Sequence, residues 1–399
     1  MSAKVYPISL RSKDNALKQP KELFAYSMHA DGTVTFDNSN LAYYYFPDSE
    51  LNNPQGVDLI GGYTKYQKAE EEDPGSLRPL LESIANYEKQ YGKIKVDIIT
   101  WRGVMRKIMT VPHTGKDEPL NLDIIKFDGS LIIRQNRDHL LKEIQDEESR
   151  DESFKKLVYT GYKFERLATL DKPWARCTRK EIETRNKKPI TPREQYCSVV
   201  RTGIGKVKML LGGEIDCVWD CKPDPEDPLE GNPNPADHYL ELKTSKIIQH
   251  PGQVKNFEKK LLKTWSQSFL IGIRKVVYGY RDDNLVLRSI EEYKVDDIPV
   301  LLKNSPFQNP QPTSAAASTK KPVNKCMDSL KFYGGFVNWL LETIPDDETK
   351  VWNLSYDFET NREYLTLKEV NGSENVERIR STIISEEFAE WRKSLVEES

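Results

Sequence analysis

The stretch from Leu210 to Lys246 decides the fold: LLGGEIDCVWD, then CKPDPEDPLEGNPNPADH, then YLELKTSK. Two apolar runs of strand character flank a segment crowded with Pro, Asp and Asn, which predicts buried ends and an exposed connection. Successive side chains on a strand face opposite ways, so Glu214 and Asp216 are expected on one face and Ile215 and Cys217 on the other. Glu241 and Lys243 repeat the arrangement about Leu242. With the two runs side by side, three carboxylates and one ammonium converge in apolar surroundings. Same-face neighbours stand roughly 6.6 Å apart at the backbone, close enough to share divalent ions about 3.5–4 Å apart.

Spacing alone carries little of this. With 62 acidic residues in 399, acid-x-acid pairs arise about ten times by chance. What distinguishes these acids is that they interrupt apolar runs, where charges seldom sit unless paired or bound to metal. A solvated strand face with a salt bridge is the plainer reading, and these two runs leave it open.

Outward from this stretch, a hydrophobic share of 37% and an aromatic share of 10% predict a folded core and argue against a disordered chain. A net charge of −3 provides no overall basic field, so any nucleic-acid contact must be a local patch. Cys177, Cys197, Cys217, Cys221 and Cys326 show no zinc-type pairing and read as reduced thiols of an intracellular protein. The first residues, MSAKVYPISLRSKD, have no apolar signal region, and no run reaches membrane-spanning length. A soluble protein without a membrane partner is expected.

Tyr43, Tyr44, Tyr45 and Phe46 are expected to pack over a sheet. Leu77, Leu80, Leu81, Ile84 and Tyr87 predict a helix from Ser76 to Gln90, capped by Ser76 and ended by Gly92. VDIITWRG reads as a strand carrying Arg102 just past Trp101, and LDIIKFDGSLIIRQ as a hairpin turning at Asp128 and Gly129. An exposed charged helix is expected from Asp138 to Lys155, then a half-buried helix in TGYKFERLATL. Thr178 with Glu181, and Thr191 with Glu194, both fit the capping box and predict two helix starts. YCSVVRTGIGKVKMLLGGEIDC predicts a hairpin turning near Gly203 to Gly205. Val254, Phe257, Leu261, Trp265 and Phe269 mark an amphipathic helix, and Lys255, Lys259, Lys260 and Lys263 give it a basic edge, either solvated or facing RNA. IRKVVYGYR with NLVLRSIEEY, and WNLSYDFE with EYLTLKEV, predict two more hairpins. Helices are expected at Cys326–Leu341 and Phe388–Leu395, and a flexible loop at about 308–323. The fold class is therefore mixed α/β or α+β, two packed mixed sheets flanked by helices, with 1–399 as a single domain.

Acid-x-acid followed by acid-x-Lys on neighbouring strands is the logic of the PD-(D/E)xK nucleases, in which carboxylates hold divalent ions at the phosphate. Lys243 can polarise water or stabilise transition-state charge, and Arg102 can grip phosphate oxygens in a fork. More specifically, TWRG, GYKFE, GEIDC, ELK and WSQSFLIG, in this order, resemble the motifs of the DXO family of decapping exoribonucleases and fungal RNA 5′-pyrophosphohydrolases. The fungal branch, associated with a nuclear 5′→3′ exonuclease, matches best. LKQPKELFAYS at Leu17–Ser27, NLAYYYFPD at Asn40–Asp48, VVRTGIGK and the closing EWRKSL extend the likeness over nearly the whole chain.

The resemblance implies that Glu165, Glu214, Asp216 and Glu241 bind two divalent ions, Mg²⁺ or Mn²⁺, with the Leu242 carbonyl assisting. It implies that Lys243 and Gln267 position the water, that Glu214 shares in the catalytic set, and that Arg102 meets the RNA phosphates. Without it, Glu165, Gln267 and Arg102 read as ordinary polar residues. The implied activity is hydrolysis at RNA 5′ ends: pyrophosphate removal from triphosphates and removal of incomplete guanosine caps and NAD-type caps, in 5′-end quality control, with or without 5′→3′ exonuclease action. The alternatives are a non-catalytic stabiliser of a nuclear 5′→3′ exoribonuclease and a DNA endonuclease of the restriction type. Nuclear residence rests on the resemblance, with cytoplasmic residence as the alternative, because Lys187-Lys188 and Lys320-Lys321 are too short for an import signal.

Overall fold

Ile98 and Ile99 are adjacent and both fully buried, yet they belong to different hydrophobic clusters, as do Ile132 with Ile133 and Leu210 with Leu211. Strand alternation alone produces that sorting, and it shows that both faces of the central sheet are covered. The computed structural model describes residues 3–66, 68, 72–222, 234–305 and 323–397. Among these, a ten-stranded sheet runs in the order Lys4–Pro7, Tyr364–Glu369, Val351–Tyr356, Leu120–Phe127, Ser130–Gln135, Ile98–Trp101, Val207–Glu214, Gln195–Ile204, Leu17–Met28 and Val34–Thr35. A seven-stranded sheet holds Val57–Asp58, Val286–Lys294, Lys275–Arg281, Tyr239–Lys246, Cys217–Val218, Tyr43–Tyr44 and Thr169–Leu170.

The largest cluster lies between the sheets. Met209 and Leu211 reach it from one, Val276 and Tyr278 from the other, with Met105, Leu262, Trp265 and Phe336 from helices. The Arg78–Tyr91 helix and the C-terminal helices cover the outer face of the large sheet through Leu80, Ile84, Ile379 and Phe388. The Glu152–Leu167 helix covers the outer face of the small sheet, packing Phe164 and Leu167 with Leu240, Leu242 and Val277. The expected two mixed sheets flanked by helices are what the chain forms.

The four predicted hairpins hold. Asp128 and Gly129 take positive φ of 47° and 81°, as a two-residue turn requires, and Gly92 ends its helix at φ 79°. Tyr43 and Tyr44 do more than cover a sheet: they are a strand of it, with Tyr44 stacked on Trp219. Other expectations are corrected. The first helix begins at Arg78 with Leu77 at its cap, while Ser76 Oγ only accepts from Arg78 N at 3.3 Å. Asp138 to Lys155 spans two helices, Arg137–Glu148 and Glu152–Leu167, because Asp151 caps a fresh start by accepting from Phe154 N. The capping box at Thr178 and Glu181 is present, but Thr191 to Glu194 is only a turn before the strand at Gln195. Strand Leu17–Met28 and helices Arg102–Thr114 and Ser373–Ile383 were not anticipated. The predicted loop at 308–323, except Val323, and residues 223–233 of the Pro- and Asp-rich connection lie outside the described residues.

The closing EWRKSL ties the C-terminal helix to this frame. Buried Glu88 accepts from Ile94 N at 2.8 Å and from Trp391 Nε1 at 3.1 Å, and faces Arg392 at 2.8 Å. Arg392 also donates to Asp128 at 2.9 Å. Burial raises Glu88's pKa, and Arg392 opposes the shift. Arg392→Ala would strand this carboxylate, so a loss of about 3–5 kcal/mol is expected in urea unfolding. Arg392→Ala stability within 1 kcal/mol of wild type, roughly the worth of a surface ion pair, would contradict the account.

Candidate active site

Strand Ile98–Trp101 runs parallel to Val207–Glu214, with Trp101 in register with Gly212. The strand stops at Trp101 and the next residue, Arg102, opens a helix. Gly212 and Gly213 make room for this junction. A Cβ at Gly212 would lie 2.8 Å from the Trp101 ring and 2.9 Å from Leu80, and one at Gly213 would lie 3.3 Å from the Arg102 Cβ. Held so, Arg102 is buried and donates to Glu241 Oε2 at 3.3 Å and to the Glu214 carbonyl at 3.4 Å. It thereby joins the two sheets.

Glu214 and Asp216 face one cleft as expected, with Ile215 and Cys217 buried, but they do so from different segments and not from one strand. The large-sheet strand ends at Glu214, and by Cys217 the chain has entered the small sheet, where Cys217 pairs with Leu240 and Val218 with Tyr239. The acids therefore flank a crossing between sheets. Because the Cys217–Val218 strand is so short, the Tyr239–Lys246 strand has an open edge beyond Leu240. Asp216 fills it by accepting from Leu242 N at 2.6 Å. N–H and C=O of one strand residue point to the same side, so the Leu242 carbonyl faces this edge too.

Glu241 is fully buried, and its partners converge from three elements. Lys243 on the same strand donates to Oε1, Gln267 Nε2 from the Pro251–Ile271 helix reaches Oε1 at 2.7 Å, and Arg102 meets Oε2. Burial pushes Glu241's pKa up, but Lys243 and Arg102 outweigh it and hold the carboxyl below its ordinary value. Lys243 is held protonated, its burial outweighed by Glu241 and Asp216.

Glu165 comes from the last turn of the Glu152–Leu167 helix. Its neighbour Phe164 lies against Gly279, where a Cβ would stand 2.8 Å from the ring, so glycine sets the closeness of helix and sheet. Glu165, Glu214 and Asp216 line one cleft of about 470 Å³ with Tyr162, Asn40 and Tyr196. Burial, then Asp216 and Glu214, raises Glu165 well above the ordinary range. Burial and then Glu241 push Asp216 up to about 7. The surrounding protein also raises Glu214, against Arg102, although its side chain opens to cleft water that moderates the effect.

All the residues expected from sequence thus meet in one place, by contact or by mutual charge. Tyr162, inside GYKFE, and the spacer glycines Gly212, Gly213 and Gly279 had not been singled out. The donor set, carboxylate oxygens with a free strand edge, suits a hard divalent cation. Among the described residues no three His, Cys, Asp or Glu stand at ion-holding spacing. The reason is visible in the contacts: Glu241 is turned to Lys243, Arg102 and Gln267, Asp216 to Leu242 N, and the like charges repel. Two of the four lysines on the basic helix edge are paired, Lys259 with Asp117 at 2.9 Å and Lys263 with Glu118 at 3.3 Å.

Residues 18–389 match the model of the RAI1-like PD-(D/E)XK nucleases. The chain is 46% identical to the decapping nuclease RAI1 of Debaryomyces hansenii over 98% of each chain. It is similar to the crystal structure of Candida albicans Rai1 in complex with pU5 and Mn²⁺, at TM-score 0.89 and 42% identity, covering 99% of this chain and 100% of that one. Scheffersomyces stipitis Rai1 in complex with (3′-NADP)⁺ and calcium ion gives 0.85 and 40%, covering 98% and 100%. Among the described residues no helix is long and apolar enough to cross a membrane.

Asp216 yields a pH prediction. Its folded pKa, about 7, exceeds the unfolded value of about 3.9, so its contribution to stability is full below pH 4 and lost as pH rises to about 7. In EDTA, Asp216→Asn is expected to raise the melting temperature at pH 8 and to change it little at pH 4. An equal change at both pH values would count against a protonated carboxyl in the metal-free site.

Proposed function

The chain belongs to the RAI1-like PD-(D/E)XK nuclease family, and from that membership we propose a mechanism for its Mg²⁺- or Mn²⁺-dependent hydrolysis of RNA 5′ ends. The observation that carries it is the buried Glu241, on which Arg102, Lys243 and Gln267 converge beside three further carboxylates. A scaffold gains nothing from such a cluster, since unneutralised carboxylates in an apolar cleft cost stability.

Glu165, Glu214, Asp216 and Glu241 would hold the ions, with the Leu242 carbonyl at the open strand edge. Bound divalent ions neutralise phosphate oxygens and lower the pKa of a water. The protein's own groups then do the positioning. Once Glu241's charge is shared with a cation, Lys243 and Gln267 have donors to spare for the water, and Lys243 meets charge developing on the phosphorus oxygens. Arg102, fixed at the start of its helix, offers a planar fork to the substrate phosphates. The substrates are 5′-triphosphate, incompletely capped and NAD-capped RNA, a reading supported by the pU5 and (3′-NADP)⁺ complexes of the relatives. Site residues drawn from both sheets support one catalytic domain over the chain. Association with a 5′→3′ exoribonuclease and nuclear residence are proposed from the family resemblance.

End-labelled RNAs of one sequence, bearing triphosphate, monophosphate or an NAD cap, should be compared with a circle in Mg²⁺ or Mn²⁺. The triphosphate and NAD-capped RNAs are expected to react and the circle to persist, with reaction of the monophosphate reporting exonuclease action; cleavage of the circle at the linear rate would show that no end is required. Lys243→Ala is expected to lower kcat about 10²-fold or more with little change in RNA affinity. Normal kcat with weakened binding would reduce Lys243 to a phosphate anchor. Glu214→Ala with Asp216→Ala should abolish turnover and leave the fold intact. Full stability with full activity would remove these acids from the site.

A further inference from the structure

Five arginines are nine-tenths or more buried among the described residues: Arg102, Arg134, Arg185, Arg281 and Arg392. Four hold a carboxylate, respectively Glu241, Asp73, Glu50 and, for Arg392, Glu88. Arg281 is the exception. It is 7% exposed, its Nε is fully buried without a hydrogen-bond partner, and it forms no ion pair among the described residues. The acid that attracts it, Asp283, is engaged by Lys246. Among the described residues Lys260 also forms no ion pair, unlike its neighbours Lys259 and Lys263. Burial, then Arg281 and Lys263, lowers its pKa, which places these cations within electrostatic reach of one another. Two like charges within reach of one another cost stability, and an anion would offset the cost.

Their place in the fold agrees from two directions. The strand Tyr239–Lys246, the helix Pro251–Ile271 and the strand Lys275–Arg281 form one crossover, and Thr264 Oγ1 meets Tyr278 OH at 2.7 Å. Tyr278 is in register with Lys243. Lys260 precedes Gln267 by seven residues on one helix face, about 10.5 Å along the axis. Arg281 follows Tyr278 by three strand residues, about 10 Å. Because the helix returns between two parallel strands, both displacements run toward the C-terminal end of the Lys275–Arg281 strand.

We propose that Arg281 and Lys260 form a phosphate subsite for the RNA chain, holding a phosphodiester downstream of the reacting 5′ end. The proposal rests on the RNA 5′-end reading above. The guanidinium supplies a planar fork and the lysine a point charge, a combination suited to a backbone phosphate and indifferent to the base.

The test uses 5′-triphosphate RNAs of two and of ten nucleotides with wild type, Lys260→Gln and Arg281→Met. Each variant is expected to raise KM for the decanucleotide roughly tenfold, to flatten its salt dependence by about one phosphate contact, and to leave kcat and the dinucleotide KM unchanged. Arg281→Met keeps the apolar stem, and its melting temperature is expected to equal or exceed that of wild type. An unchanged decanucleotide KM in Lys260→Gln would overturn the proposal, as would equal losses for both lengths. Escape of either variant from inhibition by inorganic pyrophosphate would show that the pair holds a free product instead, and would also overturn it. Failure of wild type to hydrolyse either RNA would strike the 5′-end reading itself, a separate result.

Discussion

A single buried carboxylate, Glu241, holds the molecule's chemistry together. It sits on the small sheet, and Arg102 reaches it from the first turn of a helix that the large sheet launches. An unpaired ion in that position would cost several kcal/mol, so Arg102, Lys243 and Gln267 are all needed to satisfy it. Their elements must then meet at fixed distances. Glycines at 212, 213 and 279 permit those distances by removing side chains where strand, helix and ring press closest. The packing of the two sheets and the geometry of the site are one constraint.

The sequence revealed the chemistry more readily than the architecture around it. GEID and ELK were legible because acids inside apolar runs need a reason to be there. The placement of Glu214 and Asp216 on a single strand is corrected, because period-2 alternation assumes an unbroken strand and the chain changes sheets between Glu214 and Cys217, although both acids face one cleft. The helix from Arg102 escaped notice because Pro112 lies within it and a strong strand signal leads straight into it. Leu17–Met28 was missed for a related reason: a twelve-residue strand with mostly half-exposed positions and Pro20 inside has little alternation to read. The Thr191 capping pattern shows the opposite failure. A local signal was present, but the Gln195 strand began before a helix could propagate.

Local charge also explains why the protein needs no net positive field. The chain carries −3 overall, and two of the four lysines on the helix edge, Lys259 and Lys263, are paired with Asp117 and Glu118. Near the site stand Arg102 and Lys243 at the centre, with Arg281 and Lys260 further out. Such an arrangement discriminates by position rather than by general attraction to polyanions.

Among the described residues the strand Lys4–Pro7 pairs only with Tyr364–Glu369, at the far edge of the large sheet. Nearly the whole chain must therefore be made before its first strand can find a partner. The residues that build the site, from Arg102 to Gln267, are all synthesised in the meantime. Contacts of such long sequence separation make for slow folding, and during that interval the apolar edge awaiting the last hairpin is open to the wrong partner. Biogenesis of this fold is thus governed by its last strands, far in sequence from the chemistry they enclose.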